Sequence, residues 1–172
     1  MNRILDDRSL DSVFRAARRC RDWLDRPVSE AMIGALWELA KLPPTTTGAH
    51  PARILFLRSR DSRQRLAAAL APDDRAATLA APVTAIIGHD PAAAGAILRD
   101  AVLQGAYLIL AARALGLDCT PLLPIDMARV ESAFLGDGWA RADFACNLGY
   151  GDPKTAEAPT DGPSFEEACR VL

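Results

Sequence analysis

Residues 103–119 read LQGAYLILAARALGLDC. The stretch predicts the second half of a long helix, from about residue 92 to residue 115, because most of its residues are apolar or small. Gly116 stands where a left-handed residue commonly closes a helix, and residues 117–120 then predict a strand. Polar residues such as Asp100, Gln104 and Arg113 interrupt the apolar run 97–117. A buried helix is therefore predicted here instead of a membrane span.

The flanking sequence alternates between helix and strand signals. Helical spacing and capping residues predict further helices at about 9–18, 29–42, 61–70 and 126–136, a short helical stretch before Pro82, and a last short helix after the capping box that begins at Ser164. Strands are predicted at 54–57, 83–87, 117–120 and 142–148. The first two are apolar on both faces and are predicted to be central. Because no strict βαβ rhythm exists, the fold class is α+β, with helices packed on a sheet.

Composition limits the class of protein and its organisation. The chain has 172 residues, half of them hydrophobic, and a net charge of -2, which predicts one globular core without the basic field that nucleic acid requires. Proline, glycine, threonine and acidic residues become frequent after residue 150. We therefore expect a core over residues 1–150, followed by a C-terminal arm and short helix over residues 151–172.

The N-terminus and the cysteines predict a cytoplasmic protein. Acidic residues stand where a signal peptide would need an apolar stretch, so no export is expected. The four cysteines form no CxxC pair, and with two histidines they offer no zinc-ligand spacing. Reduced core thiols are the expected state.

Two local features could bind a ligand. Arg15, Arg18, Arg19 and Arg21 cluster near the end of the first helix, where guanidinium groups could bind phosphate through paired hydrogen bonds. The loop 45–51 is rich in hydroxyl groups and could hydrogen-bond a heterocycle. Each has an ordinary alternative, a solvated basic face for the arginines and a turn that caps itself for the loop. The chain contains no GxSxG motif, and the glycines after residue 148 do not open a helix, so they do not fit a dinucleotide fingerprint.

Several segments carry a resemblance to a known family. They are WLD and PVS at residues 23–29, PTT and PAR at 44–53, TLAAPVTAI at 78–86, residues 103–119, CNLGYGDP at 146–153 and SFEEACR at 164–170. In this order and spacing, the chain resembles the nitroreductase family, and within it the branch of malonic-semialdehyde (3-hydroxypropanoate) reductases.

The resemblance implies a fold and an activity. It implies a mixed β-sheet flanked by helices, a homodimer, and FMN bound at the dimer interface. It also implies that the flavin accepts hydride from NADH or NADPH and passes electrons to a small carbonyl, quinone or nitro acceptor in a ping-pong cycle. The flavin would carry the chemistry, so no catalytic side chain is expected.

The implied cofactor contacts can be assigned to positions of this chain. Arg18, with Arg19 and Arg21 beside it, corresponds to the phosphate-binding arginine. Thr45 and Thr46 match the hydroxyl pair that faces the flavin. The remaining implied contacts are His50 near the pyrimidine end and, through the backbone, Leu122 and Leu123.

Other positions depart from the family pattern. Polar or cationic family residues are replaced at Gly48, Asp74, Ala77, Pro159 and Gly162; Pro124 lacks a backbone donor; and the lid-like excursion after Asp90 is missing. Two alternatives therefore remain open. One is a flavin-free family member acting as a binding or regulatory protein. The other is a different small ligand in the same cleft, lined by His50, Cys20 and Asp74.

Overall fold

The computed structural model describes residues 4–46, 48–122, 125–157 and 162–172. Seven α-helices and four strands are found in these ranges, and a π-helical turn, Asp11–Arg15, follows the first helix directly. The helices are α1 Asp7–Leu10, α2 Glu30–Ala40, α3 Arg60–Ala67, α4 Pro72–Ala80, α5 Ala96–Ala114, α6 Met127–Phe134 and α7 Phe165–Ala168. The strands are β1 Ala52–Leu57, β2 Val83–His89, β3 Asp118–Leu122 and β4 Arg141–Gly149. The predicted α+β class is confirmed.

The sheet has the strand order β1-β2-β4-β3. Every pairing among these described strands is antiparallel, so the mixed sheet implied by the resemblance is not seen in this part of the chain. β2 is central as predicted, but the prediction for β1 is wrong, because β1 lies at an edge. Ile54 and Phe56 pack into the core on one face of β1, and Leu55 and Leu57 pack into the core on the other. Both faces of β1 are apolar because each packs against a core. The pattern does not require a strand on each side of β1.

The sheet separates two apolar cores. One is formed with α2 and α5 and contains Leu36, Leu108 and Ile87, each fully buried. The other contains Leu66 of α3 and Val130 of α6. Gly105 lets α5 approach the sheet closely, because a Cβ at this position would lie 3.0 Å from the side chains of Ile87 and Phe144.

Most predicted helix ends agree with the structure. The side chains of Ser29, Asp126 and Ser164 cap α2, α6 and α7, and Gly116 has the positive φ of 80° that its position after α5 requires. α3 begins earlier than predicted, because the hydroxyl of Ser59 accepts the backbone N–H of Ser62. The predicted first helix is replaced by α1 and the π-helical turn.

The segment after β4 is joined to the core over its first residues. Residues 151–157 run antiparallel to residues 19–23, with isolated bridges at Trp23↔Gly151 and Arg19↔Glu157. By contrast, Phe165 of α7 and Leu172 after it are both exposed. None of the helices in the described ranges is long and apolar enough to cross a membrane.

Gly88 marks the position where the sheet tolerates substitution least. A Cβ on Gly88 would lie 2.0 Å from the backbone oxygen of Arg141, beside the register shift between β2 and β4. Because backbone must move, Gly88→Ala should lower the free energy of unfolding by about 3 kcal/mol in urea titration. Gly34→Ala is the matched control, since nothing lies within 4 Å of its new Cβ, and it should stabilise α2 by about 0.5–1 kcal/mol. Equal unfolding midpoints for both variants would show that the contact between residue 88 and the backbone of Arg141 does not limit stability.

Candidate functional site

The segment that carries the clustered arginines is held against the edge of the sheet. Thr120 of β3 fixes this segment through two hydrogen bonds to Cys20. Its hydroxyl accepts the backbone N–H of Cys20 at 3.1 Å and donates to the carbonyl of Cys20 at 2.8 Å. Gly151 permits this approach, since a Cβ there would lie 2.2 Å from the Cys20 sulfur. The backbone beside Arg18, Arg19 and Arg21 is therefore fixed by the fold, although all three side chains are exposed.

The four clustered arginines have different partners. Arg15 contacts Asp7 and Asp11 on its own helical segment. Arg19 pairs with Asp74 of α4 at 3.3 Å, and Arg21 pairs with Glu157 at 3.0 Å. Arg18 forms no ion pair with any residue that the structure describes. Of the four, Arg18 is thus the one whose charge is not matched by a carboxylate within these ranges.

The threonine loop is anchored to α5. Asp100, which is fully buried, accepts the backbone N–H of Thr46 at 3.0 Å and its hydroxyl at 3.1 Å. Thr45 is half-buried, and Thr46 remains exposed. The loop therefore has a fixed shape at the threonine pair.

Gln104 anchors the other end of the same loop. Its side-chain oxygen accepts the backbone N–H of Ala52 at 3.0 Å, so its amide group can donate to Nδ1 of His50 at 3.2 Å. This arrangement leaves the ring proton of a neutral His50 on Nε2. His50 is exposed and lines a cavity of about 260 Å³ together with Arg53, Asp90 and Ile97.

The structure does not bring the arginines and the threonine loop together within one chain. Asp100 holds Thr46 near the start of α5, whereas Arg113, near its end, donates to the carbonyl of Val13, just before the arginines, at 3.2 Å. Thirteen residues of helix separate the two anchors, which corresponds to about 20 Å at about 1.5 Å per residue. The two predicted halves of the site therefore lie toward opposite ends of α5.

The remaining predicted contacts and departures have mixed outcomes. The side chain of Leu122 is fully buried in the core, so only its backbone could contact a ligand. Leu123, Pro124 and Pro159 lie outside the described residues. Asp74, read as a departure from the family pattern, is buried and pairs with Arg19.

Three polar residues that position the site were not predicted to do so. Asp100 and Gln104 were read only as interruptions of an apolar helix, yet they are spaced four residues apart and therefore share one face with Leu108. Buried polar residues at helical spacing on an apolar face were the available signal. Thr120 gave no such signal, because threonine is an ordinary strand residue.

Cys20 is poorly placed to contact a ligand. It is 2% exposed, and burial, reinforced by the nearby carboxylate of Asp118, raises the pKa of its thiol to about 11. The thiol is therefore neutral at physiological pH and behaves as a small core residue. Its predicted contribution to an altered cleft is not supported by this burial.

Known proteins match this chain over nearly its whole length. A Stenotrophomonas maltophilia protein named as a candidate NADH dehydrogenase/NAD(P)H nitroreductase is 40% identical and matches 99% of this chain and 100% of its own. A Cupriavidus pinatubonensis protein of the same name is 38% identical and matches 94% of this chain and 96% of its own. No family model matches the chain.

Solved structures agree in fold. A candidate nitroreductase from Exiguobacterium sibiricum, in complex with FMN, superposes with a TM-score of 0.82 at 16% identity and covers all of both chains. A candidate nitroreductase from Bacillus subtilis gives a TM-score of 0.85 at 12% identity, covering 97% of this chain and 100% of its own. The fold is thus that of a nitroreductase. Because its relatives are 38% and 40% identical over nearly the whole chain, the protein belongs to the nitroreductase family.

Proposed function

We propose that this protein is an FMN-dependent NAD(P)H oxidoreductase that acts as a homodimer. The observation that supports this most directly is the separation of the two half-sites along α5. A fixed arginine segment and a fixed threonine loop, anchored toward opposite ends of α5 in one chain, can serve one ligand when a second copy brings its loop to the arginines of the first.

Exposed apolar side chains give the second copy a surface to cover. Leu39 and Leu42 lie on and just after α2, Val102 and Leu103 lie on α5, and Phe14 precedes the arginines, all at least 37% exposed. α2 and α5 pack against each other, so their exposed residues lie on neighbouring elements. Such apolar surface on adjacent helices is typical of an interface between subunits.

The residues present fit FMN at both ends. The exposed Arg18 guanidinium has the charge and paired donors for a phosphate. Thr45, Thr46 and Nε2 of His50 offer hydroxyl groups and one N–H for the polar edge of a flavin ring. A protein of the same fold holds FMN, which supports FMN as the cofactor.

The chemistry divides between the cofactor and the chain. When bound, FMN supplies the hydride acceptor and the electron donor, and the protein supplies grip and orientation. Arg18 would neutralise the phosphate, and Asp100 and Gln104 hold the loop so that its donors would meet the ring without reorganisation. The cavity beside His50, about 260 Å³, admits a small carbonyl, quinone or nitro acceptor.

Titration with FMN tests the proposal. The purified protein should take up one FMN per chain and then oxidise NADH or NADPH in the presence of a small acceptor. Binding should be followed by flavin absorbance after gel filtration, with the oligomeric state measured by light scattering. A folded dimer that stays colourless in excess FMN would overturn the proposal.

A flavin-free binding or regulatory protein is the second candidate. It is favoured by two ion pairs, Arg19–Asp74 and Arg21–Glu157, which neutralise two of the three implied phosphate ligands. It predicts a stable dimer whose thermal stability does not change with FMN. Stoichiometric FMN in the purified dimer would exclude it.

The Arg19–Asp74 ion pair supplies a further prediction. Asp74→Asn keeps a hydrogen-bond acceptor for Arg19 but removes the opposing charge, so FMN affinity should rise by about fivefold in a fluorescence titration. Asp73→Asn is the matched control, because Asp73 is exposed in the same helical turn and has no ion pair among the described residues. Unchanged or weaker FMN binding in Asp74→Asn would show that Asp74 does not compete with the phosphate.

A further inference from the structure

A second cavity, of about 670 Å³, lies where the segment after Trp23 meets the start of α3. Trp23, Pro27 and Pro82 form part of its wall, and Arg26, Arg58 and Arg63 add three guanidinium groups. None of the described residues assigned to the flavin lines it. Its volume is in the range of small-molecule sites, about 300–1,000 Å³.

Arg63 carries a charge that the fold leaves uncompensated. One terminal nitrogen donates to the carbonyls of Arg58 at 2.6 Å and Pro82 at 3.2 Å. Its Nε is the one buried side-chain polar atom in the described ranges that has no hydrogen-bond partner, and no carboxylate there forms an ion pair with Arg63. Burial and the neighbouring charge of Arg60 lower the pKa of Arg63. An anion in the cavity would stabilise the charged form of Arg63 against its burial and the repulsion by Arg60.

The other two arginines are only weakly matched by acidic groups. The guanidinium of Arg26 stacks 3.7 Å from the ring centre of Tyr150, which orients it without a carboxylate. Arg58 pairs at 2.8 Å with Glu30, whose side chain is 88% exposed, so solvent screens the pair. Asp25 is the only carboxylate residue among the described residues of the wall.

We propose that this cavity binds a phosphate-bearing small molecule. Arg26, Arg58 and Arg63 bring three positive charges to one cavity wall, and guanidinium groups pair readily with phosphate oxygens. Trp23 and the two prolines give the attached organic group an apolar wall. The site is separate from the flavin half-sites and does not depend on whether FMN binds.

Calorimetric titration of the full chain with inorganic phosphate and pyrophosphate, in chloride buffer without flavin, tests the proposal. The titration is done on the Arg18→Ala variant, which lacks the residue predicted to bind the flavin phosphate. The measured heat of binding then comes from the cavity. One saturable site per chain is expected. Arg58→Gln and Arg63→Gln should each weaken binding by about tenfold, because each loses a charge-assisted hydrogen bond. Arg60→Gln, an exposed neighbour on α3 outside the cavity wall, should leave affinity within about twofold.

Several results would overturn the proposal. The first is the absence of saturable phosphate or pyrophosphate binding. The second is equal affinity in Arg58→Gln and Arg60→Gln, a comparison that remains decisive if Arg63→Gln fails to fold. Tighter binding of malonate than of phosphate would contradict the assigned ligand class.

Discussion

Replacing Arg18 with alanine is expected to weaken FMN binding by about ten- to a hundredfold. Arg18 forms no ion pair with the described residues, whereas Arg19 and Arg21 already contact Asp74 and Glu157. Loss of a charge-assisted hydrogen bond costs about 1.5–3 kcal/mol, which corresponds to that range of affinity. The dissociation constant should be measured by quenching of flavin fluorescence.

Arg15→Ala is the matched control for this variant. Arg15 lies three residues earlier, at the end of the π-helical turn, and its guanidinium is occupied by Asp7 and Asp11. FMN affinity should therefore change by less than about twofold when Arg15 is removed. If both variants lost the same affinity, the phosphate would be attracted by the general positive charge of the segment and not by Arg18.

Asp100→Ala is expected to cost both stability and flavin affinity. The buried carboxylate accepts the backbone N–H and the hydroxyl of Thr46, so its loss frees the threonine loop from α5. Urea titration should show a loss of about 2 kcal/mol in the free energy of unfolding, and FMN affinity should fall by about tenfold or more. Both are expected from one cause, because the loop that Asp100 anchors is also the one proposed to contact the flavin ring.

Two variants separate this effect from a general one. Arg99→Ala removes the exposed neighbour of Asp100 on the same helix and should change neither quantity by much. Asp100→Asn keeps one acceptor for Thr46 and should fall between Asp100→Ala and the unmodified chain. A variant Asp100→Ala with normal FMN affinity would show that the loop does not contact the flavin.

Local chemistry explains how much of the fold could be predicted from the sequence. Ser29, Asp126 and Ser164 cap helices through contacts with the residue three positions away, and such contacts can be predicted from the sequence. The edge position of β1 could not be read in this way. A strand with both faces covered and a strand in the centre of a sheet are both rich in apolar residues. Only the assembled sheet shows which of the two β1 is.

The sequence pointed to candidate ligand contacts but not to the residues that hold them in place. The resemblance pointed to the arginine segment and the threonine loop because residue type carries that signal. Thr120 acts through a partner 100 residues away, and no local pattern identified it. The apolar face around Asp100 indicated burial but not its partner 54 residues away. The ion pair between Arg19 and Asp74 was equally invisible, because it depends on how α4 packs beside the arginine segment.

A subunit-mixing experiment tests most directly whether the flavin site is shared between two chains. One subunit carries Arg18→Ala, and the other carries Thr45→Val and Thr46→Val, so that homodimers of either kind bind FMN poorly. In each mixed dimer, one site combines the intact arginines of one chain with the intact loop of the other. Random re-association should therefore restore FMN to about a quarter of all sites, since about half of the dimers are mixed. No gain of bound flavin on mixing would contradict a site built from two copies of this chain.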